Sequence, residues 1–313
     1  MFIKRFKGVS VIRRKLVVLG TTLLLIGNAG AAVAANEFGP HFSPDGRYLI
    51  FYSDKDGDDE IYLMELATSV VQQLTDNEVG DSDGVFSPDG RRIAWSSGDS
   101  SNSMIFTMNM DGTNQKRVSV DGGRHIRPTW WPDGRRLFYH SSEEGSWRLR
   151  SISVDGSGLR EHGDEPGDYL VVTFQPGAES IIYVHAKPGE AHDQPIKTYT
   201  LHLADMSVAP FTRGRAGDSN HEYSPDEKRI VFNSIRDLNW EIYVMDSDGR
   251  NQQRLTMDQT SDLTFAIETI DGQPTWAPDG SMVAFTSGRD GDFDIYLANP
   301  DSGWVLNLTG LWD

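Results

Sequence analysis

Short runs of apolar and aromatic residues recur along the chain from about residue 35 onward, and turn residues close each run. The apolar residues within a run are consecutive rather than alternating, which is typical of strands covered on both faces. The runs are residues 48–53, 92–96, 137–140, 181–185, 230–233 and 282–286. This pattern predicts an all-β chain of short strands.

Each run follows an aromatic residue and a turn that contains proline, as in Phe42-Ser43-Pro44-Asp45-Gly46. Proline presets φ at the second turn position and glycine supplies a residue of positive φ, which is the chemistry of a hairpin turn. The leading aromatics are Phe42, Phe86, Trp130, Phe174, Tyr223 and Trp276, at spacings of 44, 44, 44, 49 and 53 residues. An internal repeat of this length is typical of a β-propeller.

Two further landmarks keep the same phase in most units. An apolar pair such as Ile61-Tyr62 predicts a third strand, and a Leu-Thr pair such as Leu74-Thr75 predicts a fourth. Six such units with two insertions fill residues 35–313, so we predict one domain there, a six-bladed β-propeller of four-stranded antiparallel blades. The first and last units begin and end in frame, so each of these two blades is expected to be one continuous segment.

The Ser-Pro-Asp-Gly turn, the Ile-Tyr-x-Met strands at 61–64 and 242–245, and the terminal Leu-Thr resemble the propeller repeat of the TolB family. The resemblance implies a propeller that acts as a scaffold or binding module, and it covers the propeller without the additional N-terminal domain of TolB. Some propeller lyases that act on uronic-acid oligosaccharides also resemble this repeat. Those lyases hold a metal with histidines of the channel.

The first 34 residues resemble an export signal, with a basic start, an apolar run at 16–26 and the small residues Ala32-Val33-Ala34. We expect cleavage near Ala35 and a periplasmic or secreted protein without stable membrane insertion. The alternative is an uncleaved anchor, which the short apolar run disfavours. Arg13-Arg14 resembles a twin-arginine signal, and the choice between the two export routes stays open.

The chain contains 29 Lys and Arg against 46 Asp and Glu, and its formal charge is −17. Loss of residues 1–34 removes six basic residues and takes this charge to −23. So acidic a surface repels phosphate groups, which argues against nucleic-acid or anionic-membrane partners. The sequence contains no cysteine, so disulfides, thiol nucleophiles and cysteine metal ligands are excluded.

Residues two to five positions before each leading aromatic are expected at the mouth of the central channel. They are rich in carboxylates, imidazoles and amides, and such a ring can hold a polar ligand or a metal. The candidate site residues are Asp81, Asp83, His125, Arg127, Tyr169, Asn220, His221 and Gln273, with Asp218 and Asp271 in the same phase. The alternative is a channel that is merely wet and polar.

Two weaker patterns concern metals. Three aspartates at 54, 56 and 58 lie in a loop that resembles a calcium site, although the turn itself also requires Asp-Gly there. His125 and His221, with His41 as a third, fall short of a histidine set. We therefore predict no bound metal. We keep Asp54, Asp56, Asp58 and His221 as candidate ligands for a divalent cation such as calcium or manganese.

No G-x-S-x-G turn, H-E-x-x-H helix or phosphate loop is present, and nothing identifies a nucleophile. We therefore expect an exported, non-catalytic propeller that binds a partner protein of the cell envelope or a polar carbohydrate at its channel face. The alternative is a metal-assisted polysaccharide lyase or glycan hydrolase of the propeller type, and the question of catalysis stays open.

Overall fold

The structure is a computed structural model that describes residues 35–120, 122–143, 146–162, 168–174, 179–186, 197–205, 207–211, 217–237, 239–257 and 272–310. The predicted export signal and Asp271 lie outside these residues. Every regular element of the described residues is a β-strand, and none is a helix. Nowhere in this part of the chain is there a helix with the length and apolar character that a membrane span needs.

The strands follow one another in sets of four, and neighbours within a set pair antiparallel. The first set is β1 (Glu37–Phe42), β2 (Tyr48–Ser53), β3 (Glu60–Glu65) and β4 (Val70–Gln73). The second is β5 (Asp81–Phe86), β6 (Arg92–Gly98), β7 (Ser103–Asn109) and β8 (Lys116–Arg117). The third is β9 (Arg124–Trp130), β10 (Arg136–Glu143), β11 (Ser146–Ser153) and β12 (Arg160–His162). One parallel bridge between Ser103 and Arg124 joins the second and third sets into a single sheet.

The later sets repeat this order. The fourth is β13 (Asp168–Phe174), β14 (Ser180–Ala186), β15 (Lys197–His202) and β16 (Val208–Pro210). The fifth is β17 (Asp218–Tyr223), β18 (Arg229–Ser234), β19 (Glu241–Asp246) and β20 (Gln253–Arg254). The last is β21 (Thr275–Trp276), β22 (Val283–Ser287), β23 (Asp294–Ala298) and β24 (Val305–Asn307). The predicted all-β architecture of four-stranded antiparallel sheets is confirmed, and the second strand of every set overlaps one of the predicted apolar runs.

The proline turns form because their own side chains close them. Ser43 Oγ donates to Asp45 Oδ1 at 2.6 Å and accepts from Tyr48 N at 2.9 Å. Gly46 takes the left-handed φ of +69° that ends the turn. The hydrogen bond from Ser43 also holds the pKa of Asp45 below its usual range. The repeated Ser-Pro-Asp motif is therefore a hairpin signal with a local physical cause.

Four of the six leading aromatics, Phe42, Phe86, Trp130 and Trp276, are buried in the cores of the sheets. Trp130 and Trp276 are 6% and 3% exposed. Their indole Nε1 atoms each donate at 3.2 Å to a carbonyl of the preceding set, Val85 O and Glu222 O respectively. Each of these two tryptophans, at the end of the first strand of its set, thus anchors two neighbouring sets through one side chain that combines apolar burial with a satisfied N–H.

The first and last sets also pack directly on each other. One core cluster joins Phe42 and Phe51 of the first set to Ala284 and Ile295 of the last. Each of these two sets is made of four consecutive strands, so the prediction that each is one continuous segment is confirmed. No strand exchange is needed for the two ends of the described chain to meet.

Candidate functional site

The innermost strand of most sets is interrupted three residues before the leading aromatic. The pairing of β1 with β2, β5 with β6 and β17 with β18 shifts register at this point, which marks a β-bulge. The residue three positions before the leading aromatic has a left-handed φ in five sets: Gly39 (61°), Asp83 (57°), Arg127 (53°), Asn220 (51°) and Gln273 (67°). A bulge breaks strict alternation, so consecutive residues rather than alternate ones reach the same side.

These bulges surround a central cavity of about 140 Å³. It is lined by the three residues that precede the leading aromatic in five of the sets and by Thr173 alone of the fourth. The lining residues are Gly39, Pro40, His41, Asp83, Gly84, Val85, Arg127, Pro128, Thr129, Thr173, Asn220, His221, Glu222, Gln273, Pro274 and Thr275. Residues of the same phase, three to one positions before the leading aromatics, thus line one cavity.

Asp83 is the most connected side chain of the cavity. Its Oδ1 accepts from Gln273 Nε2 at 3.3 Å, and its Oδ2 accepts from Arg127 N at 3.3 Å and Ser96 Oγ at 3.4 Å. These partners belong to the last, third and second sets. The Asp83 carboxylate thus ties together residues that are far apart in the sequence.

Arg127 supplies the permanent positive charge of the cavity lining. Its backbone N–H is engaged with Ser96 Oγ at 3.1 Å, and its guanidinium forms no ion pair with any described residue. A guanidinium presents planar, paired N–H donors that match a carboxylate. The side chain of Arg127 is therefore available to an anionic group that enters the cavity.

Glu222 is a cavity residue that the sequence analysis did not select, because it lies only one position before its leading aromatic. It accepts from Trp276 N at 3.0 Å and Thr275 Oγ1 at 3.3 Å. Burial raises the pKa of Glu222 to about 7, and these two hydrogen bonds offset only part of that effect. Near neutral pH this carboxyl group is divided between its protonated and ionised forms.

The two histidines of the cavity stay neutral at physiological pH. Burial lowers the pKa of His41 to about 4, and burial together with the Arg236 charge lowers that of His221 to about 3. The His221 ring stacks on Phe232 at 5.2 Å between centroids, and neither of its buried nitrogens meets a hydrogen-bond partner among the described residues. His221 is held by aromatic packing.

The candidate site residues divide into two groups in the structure. Asp83, Arg127, Asn220, His221 and Gln273 line the cavity. The residues five positions before the leading aromatics do not: Asp81, His125 and Asp218 are buried at 1%, 0% and 2% exposure, away from the lining. Tyr169 lies on β13, and its side chain is outside the described part of the chain.

These three buried residues make structural contacts. Asp218 pairs with Arg236 through both carboxylate oxygens, at 2.8 and 2.9 Å. Asp81 accepts from Asn77 Nδ2 at 2.9 Å, and the His125 ring lies 5.1 Å from that of Tyr139. The β-bulge accounts for this difference, because it lies after these residues along each strand. In these strands, only residues at the bulge or after it line the cavity.

The aspartates of the candidate calcium loop do not converge as a set. Asp54 binds Asn36 through both its oxygens, at 2.7 and 2.8 Å. Within the described residues, the ligand atoms that come together are instead those of Asp56, Glu60 and Asp76, which lie within 4.8 Å of one another. Only one of the three predicted loop aspartates is in this group.

Comparison with known proteins agrees with this architecture. A stretch of 87 residues is 34% identical to the Tol-Pal system protein TolB of Desulfosudis oleivorans, and it covers 27% of this chain and 18% of that protein. The fold is similar to TolB of Acinetobacter baumannii, with a TM-score of 0.69 at 14% identity over 89% of this chain and 64% of the other. It is also similar to an oligogalacturonate lyase in complex with manganese, with a TM-score of 0.59 at 19% identity over 86% and 90%.

The chain thus matches only a fifth of its TolB relative and less than two thirds of the TolB structure, so these likenesses carry the fold and not the activity of those proteins. The family model described as the TolB beta propeller domain matches residues 27–192, which is more than half of the chain. Together with the phase of its turns and bulges, this match places the chain in the TolB beta-propeller domain family.

Proposed function

We propose that this protein is an exported, six-bladed β-propeller that binds a partner protein or polar ligand by a carboxylate group inserted into the central cavity. The supporting observation is the convergence of Arg127, Asn220 and Gln273 on one cavity from three separate sets of strands. Left-handed, non-glycine residues are costly and are kept where the surroundings hold them, commonly at functional sites. Arg127 is the natural partner of the carboxylate.

The size of the cavity supports a narrow ligand. Sites for small molecules commonly enclose roughly 300–1,000 Å³, whereas this cavity encloses about 140 Å³. A side chain, a chain terminus or a single sugar carboxylate is of suitable size for it. The remainder of a larger ligand would then lie on the face around the mouth.

Export is part of the same proposal. The basic, apolar and small-residue segments of residues 1–34 form the sequence pattern of a secretory signal. A protein in the cell envelope is the expected partner, since relatives of the domain include a Tol-Pal system protein. A polar carbohydrate is the other ligand class that this cavity favours.

Titration of simple carboxylates tests the proposal. Galacturonate and a short peptide with a free C-terminal carboxylate are titrated into the mature protein and followed by NMR. The amidated peptide serves as the neutral control. We expect saturable shifts that Arg127→Ala weakens about tenfold or more and that Arg135→Ala, which removes an exposed arginine, leaves unchanged. Binding that does not depend on Arg127, or no binding of any carboxylate, would contradict the proposal.

Glu222 supports a second candidate, a lyase acting on a uronic-acid glycan. A carboxyl group with a pKa of about 7 is suited to general acid–base chemistry at neutral pH. Its test is the ultraviolet absorbance of the unsaturated product when oligogalacturonate is incubated with the protein and manganese, with Glu222→Gln as the inactive variant. We favour the binding role because, among the described residues, the one convergent group of potential metal ligands does not line the cavity.

A further inference from the structure

One buried carboxylate recurs at the start of the third strand, and the fifth set of strands shows how it is neutralised. Glu241 accepts from Asn239 Nδ2 at 2.7 Å, from Thr256 Oγ1 at 2.6 Å and from the Arg254 guanidinium. Arg254 also pairs with Asp237 at 3.3 Å. The guanidinium therefore bridges two carboxylates, Asp237 and Glu241, on the outer part of the sheet.

The first set has the same two carboxylates without the arginine. Asp56 and Glu60 are equivalent to Asp237 and Glu241 of the fifth set. Gln73 is equivalent to Arg254, because Gln73 pairs with Tyr62 as Arg254 pairs with the equivalent Tyr243. Gln73 donates its amide to Asp56 rather than to Glu60. The sheet therefore keeps the acidic pair and loses its cation.

Two further exchanges add negative charge to the same place. Asp58 replaces Asn239, the residue that donates a hydrogen bond to Glu241 in the fifth set. Asp76 replaces the apolar Met257. One carboxylate oxygen each from Asp56, Glu60 and Asp76 lies within 4.8 Å of the other two. In the first set, three carboxylates thus converge where the fifth set has two carboxylates and a guanidinium.

Glu60 is the residue that makes this arrangement unstable without a positive charge. Its side chain is fully buried, and Asn77 N donates to its Oε1 at 2.6 Å. Its Oε2 is buried and meets no donor in hydrogen-bonding geometry among the described residues, and the same holds for Asp58 Oδ2. A buried carboxylate oxygen without a donor is costly, and a bound cation removes that cost.

We propose that Asp56, Glu60 and Asp76 bind a hard divalent cation of the calcium class, which takes the place of the Arg254 guanidinium. Calcium prefers carboxylate oxygens and accepts irregular coordination completed by water. Asp56 and Asp76 are exposed, so water can supply the remaining ligands, while the buried Glu60 fixes the inner side of the site.

The last set supports the specificity of this assignment. There Asp294 accepts from Asn307 Nδ2 at 2.8 Å and from Thr309 Oγ1 at 3.1 Å, so neutral donors satisfy both of its oxygens. Gly310 stands at the position of Asp76. Of the three equivalent carboxylates, Glu241 has an arginine together with neutral donors, and Asp294 has neutral donors alone. Glu60 has the backbone N–H of Asn77 and two further carboxylates beside it.

The proposed ion would be structural. None of its three ligands lines the central cavity, and they connect the start of β3 to the segment that follows β4. The cation would hold the outer edge of the first set in place, in the way that Arg254 holds that of the fifth. Binding at this site is therefore separable from ligand binding in the cavity.

Calorimetric titration of the EDTA-treated mature protein with CaCl₂ tests the proposal. We expect one ion per chain with a Kd of about 10⁻⁴–10⁻³ M, as for extracellular modules, and a melting temperature raised by about 3–8 °C at saturating calcium. Asp76→Asn should abolish both effects. Asp237→Asn, which removes an exposed carboxylate of the fifth set, should leave the calcium stoichiometry and affinity unchanged.

Gln73→Arg keeps the test decisive if the aspartate variant folds poorly. It restores the arginine of the fifth set, so this variant should melt in EDTA at or above the temperature of the calcium-loaded wild type and should not respond to calcium. No saturable binding by the wild type up to about 10 mM calcium, or stoichiometric binding kept by Asp76→Asn or Gln73→Arg, would overturn the proposal. None of these outcomes depends on the binding of carboxylates at Arg127.

Discussion

Gln273 donates its side-chain amide to Asp83 Oδ1 at 3.3 Å across a sequence separation of 190 residues. The two residues belong to the last and second sets of strands, and Gly39 of the first set lies between them. A Cβ atom at Gly39 would lie 2.7 Å from Gln273 Oε1 and 2.9 Å from Tyr52 Cε1. A side chain at Gly39 would therefore crowd the amide group of Gln273 and the ring of Tyr52.

Gly39→Ala is expected to destabilise the fold by about 2–4 kcal/mol, because it adds a steric clash to the cost of a left-handed alanine. Gly46→Ala is the matched control. Gly46 has a similar φ of +69°, but a Cβ there meets nothing closer than 3.7 Å. The control should therefore cost only about 1–2 kcal/mol. Urea titration measures both, and equal losses would show that Gly39 is required for its φ alone.

Trp276→Ala should lower the free energy of unfolding by about 3–5 kcal/mol, as for other large buried aromatics. The side chain is 3% exposed, it donates to Glu222 O, and the Arg229 guanidinium lies 4.9 Å above its ring. Trp304→Ala is the control, since Trp304 is 43% exposed. A loss below about 1 kcal/mol for Trp276→Ala in denaturant titration would contradict its role as an anchor between two sets.

Glu222 should make the fold less stable as the pH rises. Its pKa is about 7 in the folded state, against an ordinary value of 4.5, so the folded protein binds the proton more tightly than the unfolded chain. The stabilisation that comes from this tighter proton binding is fully present below pH 4.5. It is lost between about pH 4.5 and 7, and the loss amounts to at most about 3 kcal/mol.

Glu222→Gln removes this group from the titration. Its stability relative to the wild type should therefore increase from pH 4.5 to 7 and then level off. Unfolding free energies at a series of pH values measure the difference, with the exposed Glu227→Gln as control. A difference that is constant with pH would show that the Glu222 carboxyl titrates normally.

The strands and turns could be predicted from the sequence because their causes are local. The Ser43–Asp45 hydrogen bond and the left-handed Gly46 act within five residues, and the second and fifth units repeat the serine–aspartate bond. Burial of the leading aromatics follows from the same repeat. Spacing alone therefore located Trp130 and Trp276 at positions that the structure buries.

The composition of the cavity could be predicted only in part, because the β-bulge is a property of the assembled sheets. Strict alternation would treat Asp81 like Asp83, two positions later, whereas only Asp83 lines the cavity. A signal was nevertheless present, since Gly39, Asp83 and Asn220 share one phase and tolerate a left-handed φ better than most residues. The carboxylate group at Glu60 was missed for a different reason: its ligands come from two turns and a strand start, which no single motif contains.

The final prediction concerns the interface between the first and last sets, which no chain connection crosses. Its hydrogen bonds match those of interfaces inside the chain. Glu37 N donates to Phe293 O at 2.6 Å, as Asp81 N donates to Asp59 O at 2.6 Å. Gly39 N donates to Thr286 Oγ1 at 3.1 Å, as Arg127 N donates to Ser96 Oγ at 3.1 Å.

Because these hydrogen bonds are alike, we attribute any difference in amide protection from exchange to the lack of a direct chain connection between the first and last sets. Once the first and last sets separate, no direct chain segment tethers one to the other, whereas segments 74–80 and 118–123 tether the first set to the second and the second to the third. We therefore expect the amides of Glu37 and Gly39 to exchange with solvent deuterium about tenfold or more faster than those of Asp81 and Arg127. Native-state hydrogen exchange resolved by NMR compares the four amides in one sample. Equal protection would show that side-chain packing alone, including Phe38 against Phe293 at 5.0 Å, makes this interface as strong as the others.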